Sequence, residues 1–328
     1  MEVWRFIQDC LQQNIPIMLL WVVQSEGSSP GRRGFKMAVA NNGDFEGTIG
    51  GGIMEHKLVE KARSMLTAHE QNVSLITQYH DKQHAKDQSG MICSGSQQVA
   101  FVPLNDSALP VVQRITQAIA KHEQLRIALT PNGISLIAHE DAEEGLIYEE
   151  SNWKYIELAD QRPVVHIIGA GHVGLALSEL MHYLGFYIKL YDNRPKLNTF
   201  DNNAFAHEKH VVDYDTIGEV IPANEHEYVV IMTFGYRDDK IVFRQMADKQ
   251  FFYLGMMGSD EKIRTLYDEL ANEGFTKDKW TNCHAPIGIN IFSKTTREIA
   301  VSIAAEIIKE KNKYLPTGRH VYQNKNEA

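Results

Sequence analysis

The sequence predicts an α/β protein in two parts: a C-terminal Rossmann-like parallel-sheet domain preceded by an N-terminal α+β domain. Three observations carry this. From Val164 onward, apolar strand runs alternate with helical patterns, as βαβ units require. Before that point strands and helices are mixed without a repeat. A chain of 328 residues also has room for two domains of roughly 100–200 residues each. The character changes near Arg162-Pro163, which gives expected domains over 1–155 and 162–328.

In the first part, residues 3–13 read as a helix and Ile15–Val23 as a buried strand. That run holds Pro16 and is too short to cross about 30 Å of hydrocarbon. A turn-forming loop follows, Gly27-Ser28-Ser29-Pro30-Gly31-Arg32-Arg33-Gly34, then a strand at 36–40 closed by Asn42-Gly43. Gly50-Gly51-Gly52 leads into a helix over about 54–68, with Glu55 in its first turn. Strands are expected at 75–79, 99–102, 126–129, 135–138 and 146–148, and a helix at 110–122. A polar stretch, 80–90, precedes Cys93-Ser94-Gly95.

In the second part, strands are expected at 164–168, 186–191, 228–232 and 251–254, with helices at 172–184, 239–247 and 261–272. The last helix has a start signal: Thr295 as N-cap with Glu298 three residues on. Ile299, Ser302, Ile303, Glu306 and Ile307 then share a face, which puts an acid on an apolar stripe. Glu306 reads either as a helix-edge carboxylate or as a member of a site.

Composition narrows the function classes. With 43% hydrophobic and 23% charged residues the chain can bury a core rather than remain disordered. A net charge of −9 disfavours nucleic acid or an anionic membrane as partner, since phosphate backbones need clustered cations. Three cysteines without a CxxC pair suggest neither a disulfide framework nor a zinc ribbon, and a cytoplasmic location is expected.

The strand Val164–Ile168 runs directly into Gly169-Ala170-Gly171-His172-Val173-Gly174 and then a helix. A strand before and a helix after are the context in which GxGxxG binds a dinucleotide. Gly169 would permit the tight turn, Gly171 the approach of a pyrophosphate, and Gly174 close helix–strand packing. Uncapped N–H groups and the helix dipole favour an anion there. Asp192, about twenty positions on, would accept from ribose hydroxyls. Arg194 would meet a 2′-phosphate or another anion, or simply be solvated.

These residues, together with Met232-Thr233-Phe234-Gly235-Tyr236-Arg237-Asp238, Leu254-Gly255-Met256-Met257-Gly258-Ser259, His284-Ala285-Pro286-Ile287-Gly288 and the segment Glu298 to Glu306, resemble the XdhC/CoxI family. So do Gly27-Ser28-Ser29-Pro30 and Gly50-Gly51-Gly52-Ile53-Met54-Glu55. The motifs follow the family's order over nearly the whole chain. The resemblance implies an accessory protein that binds the molybdenum cofactor, in mono- or dinucleotide form, supports its sulfuration and delivers it to a xanthine dehydrogenase-like molybdoenzyme. A cysteine desulfurase is a further expected partner, and a homodimer the expected assembly. Two departures stand out. Cys93-Ser94-Gly95 replaces the family's Cys-Gly-Gly, and Asp260, with Lys262 two positions later, replaces a basic residue after Gly-Ser.

On that resemblance Cys93 is the candidate for contact with molybdenum or its sulfur, because thiolates suit soft metals and can carry sulfur as persulfide. Read alone, a single cysteine is more often a small buried hydrophobe. Gly50, Gly51 and Gly52 form a candidate anion cradle or a plain tight turn. Glu55 would meet pterin N–H groups or serve as a first-turn carboxylate. Arg32, Arg33 and Lys36 face a phosphate or solvent. Arg237 and Asp238 lie where α/β sheets bind ligands, or form an ion pair. His284 is a candidate proton shuttle, catalytic group or structural histidine. Two other functions stay open: an NAD(P)-dependent oxidoreductase, and a structural assembly protein with an empty Rossmann domain. The oxidoreductase would need His284 as its acid–base group: where a Tyr-x-x-x-Lys relay would place its lysine, Tyr183 has Tyr187 and Tyr79 has Gln83.

Overall fold

The computed structural model describes residues 2–27, 29–79, 95–137, 143–149, 152–276 and 280–313. The chain divides into two compact units, with the division between Gln161 and Arg162.

The first unit opens with α1 (Glu2–Gln12), β1 (Ile17–Gly27), β2 (Lys36–Ala40), β3 (Phe45–Gly47) and α2 (Gly52–Thr67). It continues with β4 (Ser74–Tyr79), β5 (Gly95–Leu104), α3 (Leu109–Ala120), β6 (Arg126–Thr130), β7 (Gly133–Ile137), β8 (Gly145–Glu149) and β9 (Asn152–Leu158). Two antiparallel sheets result, β3-β2-β1-β5-β4 and β7-β6-β9-β8. The unbroken apolar run of β1 has a simple cause: both of its faces are covered. Ile17, Leu19, Trp21 and Val23 join Trp4, Ile7 and Leu11 of α1 and Val112, Ile115 and Ile119 of α3. Met18, Leu20 and Val22 face the opposite way, into Met54, Leu58, Ala62 and Met65 of α2. Alternate residues of a strand point to opposite faces, so a two-sided strand reads as continuous hydrophobicity.

The second unit contains β10 (Val164–Ile168), α4 (His172–Tyr183), β11 (Tyr187–Asp192), α5 (Asn198–Asp201), β12 (Glu208–Val211), α6 (Ile217–Val220) and β13 (Asn224–Ile231). Then come α7 (Tyr236–Met246), β14 (Phe251–Met256), α8 (Asp260–Asn272), β15 (Cys283–His284) and α9 (Thr296–Lys313). Its six strands are parallel, in the order β12-β11-β10-β13-β14-β15. One face of the sheet packs on Leu177 and Met181 of α4 and Ile303 and Ile307 of α9. The other packs on Val242, Phe243 and Met246 of α7 and Ile263, Leu266 and Leu270 of α8. This is the doubly wound Rossmann arrangement expected from the alternation. The strand order reverses direction between β10 and β13, which places the ligand-binding crevice of such folds at the carboxyl ends of those strands. No helix of the described residues is long and apolar enough to cross a membrane.

Candidate functional site

The carboxyl end of β10 leads into the glycine turn, and the three glycines have three different reasons to be glycine. Gly169 has φ 114°, and a Cβ there would lie 2.1 Å from the Met232 carbonyl oxygen at the end of β13. A Cβ on Gly174 would lie 2.2 Å from the Gly169 carbonyl, so the first turn of α4 sits directly on the loop. A Cβ on Gly171 would meet nothing within 4 Å. Gly171 therefore faces open space at the N-cap of α4, which has no side-chain cap. The amides of Gly171, His172 and Val173 form no hydrogen bond among the described residues. A helix start that leaves such donors bare is suited to an anion.

Asp192 closes β11 and is turned inward. Its carboxylate has no exposure to solvent. Oδ2 accepts from the Ala170 amide (2.7 Å) and from Arg194 Nη2 (2.8 Å). Oδ1 accepts from the Arg194 amide (3.0 Å) and Nε (2.8 Å). Burial alone would raise this carboxyl, but the guanidinium and the two amides outweigh it and hold the pKa below the usual carboxylate range. The sequence motif suggests a ribose acceptor; the geometry gives a brace that ties the glycine turn to the β11 loop. Both oxygens are already engaged by the protein's own donors. Arg194, fixed at two nitrogens, lies over the ring of Phe234, 5.2 Å from its centroid. Phe234 follows β13 and is 84% exposed.

Next to it Thr233 is locked to Asp239 of α7 through its amide (2.9 Å) and hydroxyl (2.7 Å). The buried Asp239 carboxylate is paired with Lys262, which also donates to the Met257 carbonyl (3.2 Å). Lys262 is thus a strut between the ends of β13 and β14. Asp238 accepts from Asn193 (3.2 Å) rather than from its neighbour Arg237.

His284 and Glu306 come together as a second cluster. His284 stacks on Tyr253 with centroids 4.6 Å apart, and its Nδ1 is 3.6 Å from Glu306 Oε1. Glu306 Oε2 accepts from the Tyr253 hydroxyl (2.7 Å) and the Gly288 amide (2.8 Å). One turn earlier on α9, Ser302 donates to the Ile289 carbonyl (2.6 Å). Glu306 is therefore an internal clasp for the 284–289 loop and not an edge carboxylate. Burial pushes its pKa up, but His284, Tyr253 and Gly288 together bring it below the ordinary value. Cys283 is driven the other way by burial, to about 12, so it is a neutral thiol at pH 7. A cavity of about 530 Å³ lies along the β14–β15 edge, lined by Phe251, Phe252, Cys283, His284, Glu310 and Lys313 among others. None of its lining residues belongs to the glycine turn.

In the first unit Gly50, Gly51 and Gly52 all have positive φ (126°, 74° and 72°), a run that other residues rarely adopt. The cradle they form is filled from within. Glu55 Oε2 accepts from the Ile49 and Gly51 amides (2.9 Å each) and the Thr48 hydroxyl (2.6 Å), and the Gly50 amide donates to Thr48 Oγ1 (3.2 Å). The loop's own carboxylate takes the place expected for a ligand anion. This loop also touches the segment around Gly31: a Cβ on Gly31 would lie 2.3 Å from the Ile49 carbonyl. Gln97 of β5, buried, accepts from Ser29 (2.9 Å) and so joins the two loops. The sequence did not single out Gln97; only its place just after Cys93-Ser94-Gly95 could have drawn notice. Lys36 is paired with the buried Glu157 (2.5 Å) and not turned to a ligand. Cys93 and Ser94 lie outside the described residues. Gly95, which follows them, pairs with Gly27.

Two family models match the chain, one described as the XdhC and CoxI family over residues 10–79 and the other as the XdhC Rossmann domain over 165–307. The chain belongs to the XdhC/CoxI family. This XdhC/CoxI chain is 24% identical over 304 residues with the uncharacterized protein YqeB of Escherichia coli (strain K12), a match that covers 92% of the chain and 44% of that relative. The chain thus spans less than half the length of YqeB. A probable xanthine dehydrogenase component of Bacillus subtilis (strain 168) is 21% identical, with 92% of this chain and 96% of that protein aligned. The crystal structure of a xanthine dehydrogenase from Bacillus halodurans has the same fold, with a TM-score of 0.71, 21% identity, and 96% and 97% of the two chains covered.

Proposed function

We propose that this XdhC/CoxI protein is an accessory factor of a xanthine dehydrogenase-like molybdenum hydroxylase, binding the molybdenum cofactor and supporting its sulfuration and insertion. The observation that carries the reading is the glycine turn: bare amides at the start of α4 beside a glycine open to solvent fit the phosphate that this cofactor bears. When bound, the cofactor would supply a molybdenum centre held by a pterin dithiolene. The protein's own part is to hold and orient it. Gly171, His172 and Val173 would take the phosphate, Gly169 and Gly174 keep the turn in shape, and Asp192 braces it. Cys93 is the thiol assigned to the metal or its sulfur. Gly50, Gly51, Gly52 and Glu55 act by shaping their loop, with Glu55 Oε1 the oxygen left for a pterin N–H. The client molybdoenzyme, a cysteine desulfurase and a second copy of the chain are the partners this role calls for, in the cytoplasm.

An NAD(P)-dependent oxidoreductase gains little support. Asp192, the residue that would read the ribose, is buried with both oxygens engaged. The test is reconstitution of an apo-molybdoenzyme with cofactor and this protein. Activation above the cofactor-alone rate is expected, reduced at least about tenfold by Cys93→Ala. Equal activation by the variant removes Cys93 from the role, and no activation by the wild type refutes the accessory function.

A further inference from the structure

The carboxyl end of β13 presents an arrangement that phosphate binding alone does not explain. Phe234 is 84% exposed. Arg194 lies over its ring and is anchored there by two hydrogen bonds to the buried Asp192. The backbone beside it is uncluttered: a Cβ on Gly235, like one on Gly171, would meet nothing within 4 Å. Arg237 follows in the first turn of α7, exposed and without an ion pair among the described residues. A cation in the first turn of a helix is disfavoured by the dipole, so an anion brought in by a ligand would relieve it.

We propose that Phe234 is a stacking platform for a flat heteroaromatic ring. Arg194 packs against the phenyl group and Arg237 meets the phosphate attached to that ring's substituent. This rests on the reading of the Rossmann unit as the site of a phosphate-bearing ligand, and it names the rest of that ligand as a planar heterocycle. Stacking on an exposed aromatic ring is tolerant of the heterocycle's identity, because every such ring has a π-face. A guanidinium beside the ring adds cation–π attraction. The role of Asp192 follows: it positions Arg194 and does not touch the ligand. A nucleotide and a phosphorylated pterin share this chemistry, and titration distinguishes them.

The experiment uses the full chain and isothermal titration with cytidine, guanosine and adenosine monophosphates, hydroxymethylpterin phosphate, and inorganic phosphate alone. At least one ring-bearing probe binds the wild type more tightly than phosphate does. Phe234→Ala weakens that probe by roughly tenfold, as loss of one stacked ring should, and leaves phosphate binding unchanged. Phe234→Trp keeps the affinity within about threefold, and the new indole is quenched on binding. Arg237→Ala weakens the ring-bearing probe and inorganic phosphate alike. Wild-type affinity in Phe234→Ala, or no ring-bearing probe bound by the wild type at millimolar concentration, overturns the proposal. The two readings fail separately. A Phe234→Ala protein that still acquires molybdenum cofactor in full sinks the platform and spares the cofactor role. A Phe234-dependent nucleotide binder that never acquires molybdenum does the reverse.

Discussion

At the scale of single residues, the buried Asp192 carboxylate and the three turn glycines separate stability from binding. Asp192→Asn removes the charge that holds Arg194 and is expected to cost about 2–3 kcal/mol in denaturant unfolding, because a partly buried guanidinium loses its anchoring carboxylate. The pKa of Asp192 is lowered in the folded state. Its stabilisation is therefore complete above the unfolded value of about 4 and is lost as pH falls through the folded value. The wild type should show this acid-side loss and Asp192→Asn should lack that part of it. The glycines divide in a second way. Gly174→Ala drives a methyl group into a backbone carbonyl and should cost about 2 kcal/mol or more. Gly171→Ala has room and an ordinary φ of −68°, so its stability should stay within about 0.5 kcal/mol while ligand affinity falls. Thermal melts alongside ligand titrations check both. Sequence alone located these residues, since the strand–GxGxxG–helix context is local. It could not tell that the acid points inward, because that depends on Ala170 and Arg194 donating to it.

At the scale of elements, α9 shows how a helix of apolar pattern carries a polar function. Ser302 and Glu306, one turn apart, reach the backbone of the 284–289 loop, and Glu306 also takes the Tyr253 hydroxyl. Glu306→Ala leaves the Gly288 amide and that hydroxyl unpaired, and a loss of about 2–4 kcal/mol is expected on unfolding in denaturant. Glu306→Gln keeps an acceptor oxygen and should lose less than half as much; equal losses would show that the clasp is not what matters. The helix, its Thr295 start and the acid on its stripe were all visible in the sequence. The clasp was not, because its partners come from β14 and from a loop without periodicity. Other elements escaped for related reasons. Glu208-Lys209-His210-Val211 forms the edge strand β12 with three polar residues in four, which reads as loop. β9 carries Lys154 and Glu157 inside Trp153–Leu158, and the charge at 157 is buried only because Lys36, Trp21 and Tyr155 meet it. α7 begins at Tyr236, three residues before the expected start, since Arg237 and Asp238 carry no apolar signal.

At the scale of the molecule, two units with separate cores each bring a glycine-rich loop ahead of a helix, and the two loops solve the same local problem differently. In the first, Glu55 satisfies the amides from within, as a carboxylate placed one turn into a helix can. In the second, Asp192 takes the Ala170 amide, but among the described residues no side chain takes those of Gly171, His172 and Val173, which stay open at the crevice of a doubly wound sheet. That contrast makes the Rossmann unit the place to look for the ligand. The net charge of −9 bears on it as well: binding an anion here needs local donors rather than a global field. The most direct measurement is anaerobic purification of the full chain followed by mass spectrometry and metal analysis of the small molecule released on denaturation. A phosphorylated pterin with molybdenum, much diminished in Gly171→Ala, is the predicted result. Release of a nicotinamide dinucleotide, or of the same pterin in equal amount from Gly171→Ala, would contradict the assignment.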